Sequence, residues 1–284
     1  GGADSSTVSA TDAGGNASPQ SPAYVLTIDT TLPAVPPGIG GVDDNVGAVL
    51  GNVANGGSTD DTIPVLSGTG AEANATITVY DNGTAIGTTT ADGAGVWSFT
   101  PSAALPAGPH SFTISATDAA GNASPQSAAY VVTIDTTAPA APAIVSVTDN
   151  VGSVIGGIAN GGVTDDDVPV LAGAGAEANG MVRVFDNGAL IGTTTADGAG
   201  GWSFTPAAPL SEAAHSFTVT TRDAAGNESL PSAAHVVTVD LTAPAATIAI
   251  TAITDDTGTL GDWTTNDTSP TISGTLSAAL DPSD

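Results

Sequence analysis

Carboxylates are the side chains of this sequence that recur often enough, and regularly enough, to do chemistry. The 284 residues hold 29 Asp and Glu against two basic side chains, Arg183 and Arg222, for a formal net charge of −27. The acids recur in register. TDAAGN at 117–122 appears as TDAGGN at 11–16 and as RDAAGN at 222–227. Oxygen ligands at fixed positions suit a hard cation. Ca²⁺ takes about six to eight oxygens at roughly 2.3–2.6 Å in adaptable geometry. Mg²⁺ demands a tight octahedron and keeps its water, and Zn²⁺ or copper would want Cys or paired His. With no Cys, three His and no nucleophile beside a base, the sequence shows no catalytic constellation and reads as a non-enzyme.

The charge also excludes partners. Phosphate neutralisation needs Lys and Arg, so nucleic acid is excluded, and anionic lipid with it. No run approaches the ~18 apolar residues of a membrane-spanning helix. Without disulfides, a secreted chain of this kind needs another source of stability, and a bound metal is one.

What positions the acids is a repeat. Asp12 to Asp118 is 106 residues and Asp118 to Asp223 is 105. TIDTTLP at 27–33 returns as TIDTTAP at 133–139 and TVDLTAP at 238–244. TDDTIPVLSGTGAEAN at 59–74 returns as TDDDVPVLAGAGAEAN at 164–179. A domain-sized unit is copied in tandem. The sequence divides into the last part of a preceding copy (1–32), two complete copies (33–139 and 140–244) and the first part of a following copy (245–284). It reads as a segment of a longer array.

Each complete copy reads as strands. The 36 Gly and 19 Pro oppose helices and suit short strands with tight turns. ATITVY at 75–80 alternates apolar and polar residues. Asn82-Gly83 follows, a strong hairpin signal because both turn positions need positive φ. Further strands are expected near 38–42, 64–70, 85–90, 96–100, 110–117 and 130–134. Trp97, Phe99 and Phe112, with Trp202, Phe204 and Phe217, are expected in the core. The pattern is an all-β fold of tandem immunoglobulin-like β-sandwiches, each about 105 residues.

The run DNVGxxxGxxANGG…TDD…P, GAEAN…VxDNG, DGAGxWSFTP, DAAGN and VTxDxTAP resembles the bacterial Ig-like repeat of giant type I-secreted surface adhesins, the Bap-type biofilm proteins and large non-fimbrial adhesins. The resemblance implies Ca²⁺ bound at and near the junctions between repeats, and a rod that projects an adhesive tip from a Gram-negative cell surface. Type I secretion and a role in biofilm formation belong to the same implication.

Alternation of strand direction sorts the loops to two poles. Asp135, at the end of one copy, is expected to face Glu177 and Asp223 of the next. Asp29 is expected to face Glu72 and Asp118, and Asp240 closes the last complete copy. Carboxylates this close repel unless a cation lies between them. TDAAGN is then a calcium ligand loop, with an Asx-type turn that merely closes a hairpin as the bland alternative. A second cluster lies in the Gly-rich loop of each copy. It comprises Asp44, Asp60 and Asp61, then Asp149, Asp165 and Asp166, then Asp255 and Asp267 of the last, partial copy. Its alternative is a set of solvated turn acids. Asp81/Asp186 and Asp92/Asp197 read as turn residues, and His110 and His215 as packing or surface residues.

The function expected is a calcium-stiffened rod segment of an extracellular bacterial cell-surface adhesin. Its partners are neighbouring repeats of the same chain. Self-association, or a host or surface receptor, is left to parts outside this sequence. Alternatives are a subunit of an extracellular fibre, sheath or surface layer, and an accessory module of a secreted polysaccharide-degrading enzyme.

Overall fold

A computed structural model describes residues 1–254 and 268–279. The described residues form strands and turns only. By packing, the chain divides into two units. One is Gly1–Pro139 with Arg222–Ser229, and the other is Ala140–Thr221 with Leu230–Asp284.

The first unit opens with β1 (Gly2–Ser6) and β2 (Tyr24–Ile28), an antiparallel pair. A two-sheet sandwich follows. Its strands are β3 (Gly41–Asp44), β4 (Gly51–Val53), β5 (Ser58–Thr59), β6 (Val65–Gly68), β7 (Thr76–Asp81), β8 (Thr84–Thr90), β9 (Trp97–Phe99), β10 (Gly108–Thr117) and β11 (Tyr130–Ile134). One sheet runs β4-β3-β6-β9 and the other β5-β11-β10-β7-β8. The expected strands are all present. β4 and β5 were not expected, because the Gly-rich segment that holds them has no alternation to read. β4 pairs antiparallel with β3, while β5 adds in parallel to β11.

Period two decides the core. Ile77 and Val79 of β7, Phe112, Ile114 and Ala116 of β10, and Val132 and Ile134 of β11 point inward and are buried. Val42, Leu66, Trp97 and Phe99 face them from the other sheet. Gly68 is a packing requirement: a Cβ there would overlap the Trp97 indole, as one at Gly173 would overlap Trp202. The Asn82-Gly83 hairpin has φ of 48° and 80°, the type I′ geometry its sequence predicts.

The second unit repeats the architecture with β12 (Ala143–Asp149), β13 (Gly156–Ile158), β14 (Gly162–Thr164), β15 (Val170–Ala174), β16 (Met181–Asp186), β17 (Ala189–Thr195), β18 (Trp202–Phe204), β19 (Ala214–Arg222) and β20 (His235–Val239). The sheets are β13-β12-β15-β18 and β14-β20-β19-β16-β17. The C-terminal strands β21 (Ile248–Thr254) and β22 (Thr271–Leu276) pair antiparallel. Trp202 and Phe217 are buried in this core and Phe204 packs against it at partial exposure.

Candidate cation site

Among the described residues, three kinds of acid bear on a cation, told apart by what their oxygens touch. The first kind closes its own turn. Oδ1 of Asp118 accepts the backbone N–H of Ala120 and of Asn122, at 2.9 and 2.8 Å. Oδ2 accepts the Asn122 Nδ2–H at 2.8 Å. These bonds, with the Asn122 side chain first, hold the Asp118 carboxyl below the usual carboxylate range. Asp12 and Asp223 make the same closed turn. Asp197 in the DGAG turn is lowered by bonds from Gly201 and Ala199. This is the Asx-turn geometry: Oδ1 of Asp118 is filled by two backbone N–H groups and Oδ2 keeps one lone pair free of the turn.

The turn also has an outward use. Asn122 Nδ2–H donates to the backbone carbonyl of Asp29 at 3.2 Å, and Asn227 Nδ2–H to that of Asp135 at 2.8 Å. In both turns it is the amide nitrogen of the Asn that reaches out. The carboxylates of Asp29, Asp135 and Asp240 each accept the N–H two residues on, from Thr31, Thr137 and Thr242. Glu72 and Glu177 are exposed, with Glu177 N–H bonded to the Thr221 hydroxyl.

The second kind is buried and structural. Asp44 is 4% and Asp61 3% exposed. The Thr59 hydroxyl donates to Asp44 Oδ2 at 2.6 Å and accepts the Asp61 N–H at 3.0 Å. Val46 N–H donates to Asp44 Oδ1, and Ile63 N–H to Asp61 Oδ1. Asp149, Thr164 and Asp166 reproduce this network. These acids tie the two ends of the Gly-rich loop together, so they are not solvated turn residues.

Asp60 is the third kind. Its Oδ1 is buried and has no hydrogen-bond partner. Burial, and then the charges of Asp44, Asp223 and Asp61, hold its carboxyl above the usual range. Gly47, at φ 68°, crosses directly over it, and a Cβ there would overlap Oδ2. Gly152 crosses Asp165 in the same way. Thus one acid from each of the two groups that the sequence places at separate sites, Asp223 and Asp60, act on one another in the first unit. The Asp223 turn faces Asp60, and Gly226 lies against Asp60 and Val49. Among the described residues no three His, Cys, Asp or Glu side chains are gathered as a metal-holding group in this structure. Asp255 and Asp267 lie outside the described residues.

A pair that sequence reading missed lies elsewhere. His110 is buried, with Nδ1 2.8 Å from Asp81 Oδ2 and Nε2 2.8 Å from the Pro106 carbonyl. His215 and Asp186 repeat it, with the Ser211 carbonyl. The signal was available: both pairs are separated by 29 residues. Asp81 and Asp186 are therefore histidine partners as well as turn residues. The imidazoles stack on Phe112 and Phe217, sealed from any substrate.

The family profile of the bacterial Ig-like domain matches residues 44–136 and 142–241. Exoglucanase B of Cellulomonas fimi is 35% identical over 241 residues, covering 80% of this chain and 19% of that protein. Exoglucanase A of the same organism is 34% identical over 234 residues, 76% of this chain and 25% of that protein. The chain thus spans a quarter or less of these relatives. Among solved structures, fibronectin(III)-like modules of Clostridium thermocellum CbhA align over 66% of this chain and 90% of theirs, at 14% identity and TM-score 0.41. A tetra-tandem repeat from the extending region of a large adhesion protein aligns over 97% and 70%, at 21% identity and TM-score 0.29. A BSP domain of a biofilm associated protein aligns over 66% and 29%, at 25% identity and TM-score 0.26.

Proposed function

Because the chain belongs to the bacterial Ig-like domain family, we propose that it is a calcium-stiffened spacer segment of a repetitive extracellular adhesin on a bacterial surface. One observation supports the calcium: Asp60 keeps a buried, unpartnered carboxylate oxygen that feels the charges of Asp44, Asp223 and Asp61. A divalent cation is the partner that such an oxygen lacks. Asp60 and Asp223 would hold it. Asp44 and Asp61, already oriented by backbone N–H donors, retain lone pairs to add. Asp165, with Asp149 and Asp166, would serve the second copy alike. Asp118 would play the part of Asp223 one copy earlier, Asp29, Asp135 and Asp240 would supply the acids at the strand ends, and Glu72 and Glu177 stay at the surface.

Bound there, Ca²⁺ supplies neutralisation. The chain's own residues do the rest. Asn227 anchors the Asp223 turn through the Asp135 carbonyl, and Gly47, having no side chain, leaves room for the Asp60 carboxylate. Without the ion, Asp223 and Asp60 repel. The segment would act by holding copies at fixed spacing, with adhesion or biofilm contact made elsewhere in the parent protein. Secretion by a type I system goes with this reading.

The exoglucanase relatives favour a second reading, an accessory spacer of a secreted polysaccharide-degrading enzyme. The cation site serves either. One experiment tests the site: thermal melting of the chain in EDTA and in millimolar Ca²⁺, beside Asp60→Ala and Asp223→Ala. A ligand of the folded state raises the melting temperature. A rise in the parent that both variants reduce supports the ion; an equal rise in all three sinks this placement. Pull-down on insoluble cellulose then separates the two readings, since retention favours the enzyme accessory.

A further inference from the structure

The sheet edges of each sandwich are not alike. In the first copy β4 and β9 end one sheet, and β5 and β8 end the other. β4, β9 and β5 hold three, three and two residues, whereas β8 holds seven. In the second copy β13, β18 and β14 hold three each and β17 holds seven. Short edge strands are one way in which a sheet avoids pairing with another chain; charge and proline on the edge are others. β8 (TAIGTTT) and β17 (ALIGTTT) use none of these, in a chain with 29 acids. A bulge at Ile86, and at Ile191, leaves 87–90 and 192–195 as the longer regular stretch of each edge.

The same strand is kept letter for letter. IGTTTADGAG at 86–95 recurs at 191–200, the longest identical run between the two complete copies. The fold fixes part of it. A Cβ at Gly87 or Gly192 would overlap the ring of Phe99 or Phe204. Ala91 and Ala196 are buried, and Asp92 and Asp197 close the turn that follows. Thr88, Thr90, Thr193 and Thr195, by contrast, are exposed. The residues they face across the ladder differ between copies: Thr78 and Thr76 in the first, Arg183 and Met181 in the second. Neither the core nor the neighbouring strand accounts for these four threonines.

We propose that 87–90 and 192–195 are strand-addition sites whose occupant is the same edge of a second copy of this chain, running antiparallel. In an antiparallel ladder every second residue turns its N–H and C=O away from its partner, and another strand can take up those groups. Charge decides the occupant. A basic strand would need acids on the edge to attract it, and this edge has none. Two copies, each of net charge −27, can approach only where acids are absent. Identical edges are self-complementary about a two-fold axis. With Thr89 opposite Thr89, Thr88 lies opposite Thr90 and Asp92 opposite Ile86. No acid then faces an acid, the pairing that would destabilise the ladder. Salt screens the remaining repulsion, so the contact strengthens with ionic strength. It does not depend on the cation reading.

Sedimentation of the chain at rising concentration, in EDTA at low and at high salt, reads the contact, with amide hydrogen exchange followed on the same samples. The expected result is self-association favoured by salt, with exchange slowed in β8 and β17. A variant carrying Thr88→Glu, Thr90→Glu, Thr193→Glu and Thr195→Glu is expected to associate about tenfold more weakly, because the new acids face one another across the pair. A second variant, with Ser102→Glu, Ala103→Glu, Ala207→Glu and Ala208→Glu, adds the same charge at exposed positions off the edge. At high salt it is expected to associate as the parent does. A chain that stays monomeric at high salt, association that both variants weaken alike, or exchange slowed elsewhere than in β8 and β17 overturns the proposal. The exchange pattern of the parent decides even if the edge variant fails to fold.

Discussion

Nδ1 of His110 lies 2.8 Å from Oδ2 of Asp81, and Nε2 of the same ring lies 2.8 Å from a backbone carbonyl. Both ring nitrogens thus face an oxygen acceptor, one a carboxylate and one a carbonyl. The pair is buried, at 4% and 12% side-chain exposure. Removing one partner of a buried pair strands the other. Asp81→Ala should cost about 3–5 kcal/mol, the scale for breaking such pairs. Asp81→Asn, which keeps an acceptor for Nδ1, should cost visibly less. Urea unfolding of the two variants checks the order, and equal losses would mean that shape and not pairing is at stake.

Asn227 serves two masters through one nitrogen. It closes its own turn on Asp223 Oδ2 at 2.9 Å and reaches the Asp135 carbonyl at 2.8 Å. Asn227→Ala removes both bonds and should cost about 1–3 kcal/mol, the range for a polar partner lost in a shielded place. Asn16→Ala removes only the closure of an exposed turn and should cost a few tenths. Comparing the two urea midpoints isolates the outward bond.

The strands were legible in the sequence because alternation and Asn-Gly turns are local signals. The 75–80 and 130–134 runs needed nothing beyond period two, and 82–83 needed only positive φ. What each carboxylate touches was not legible. Asp44, Asp60 and Asp61 look alike as letters, yet two are capped by backbone N–H groups and one is not. That difference depends on where β5 adds to β11, a long-range pairing that no local pattern encodes. The histidine pair was hidden for the same reason. Its members lie on different strands, β7 and β10, and only the recurrence of the spacing hinted at it.

Gly47 and Asp60 should behave as one unit. A Cβ at Gly47 overlaps the Asp60 carboxylate, and φ 68° strains any residue with a side chain. Gly47→Ala alone should cost about 1–3 kcal/mol, from strain and a displaced carboxylate together. In an Asp60→Ala chain the overlap is gone and only the backbone term, about 1 kcal/mol, remains. The double mutant should therefore lose less than the sum of the two single losses, by an amount of order 1 kcal/mol. Purely additive losses would place the Asp60 carboxylate away from Gly47.

Asp60 gives a pH test whose sign is opposite to that of the turn acids. Burial and the facing carboxylates raise its carboxyl in the folded chain. The folded state therefore holds a proton that the unfolded state has already lost. Stability from this group is present at low pH and declines as pH rises from the ordinary carboxylate value through the raised one. Asp118, lowered by Asn122, does the reverse and loses its contribution as pH falls. At pH 7 without divalent ions, Asp60→Asn should then raise the melting temperature. In millimolar Ca²⁺ the order should invert, because the carboxylate that was a burden becomes a ligand. Scanning calorimetry in the two buffers reads both signs. If Asp60→Asn stays the more stable in each, the unpartnered oxygen is a cost of the fold and binds no cation.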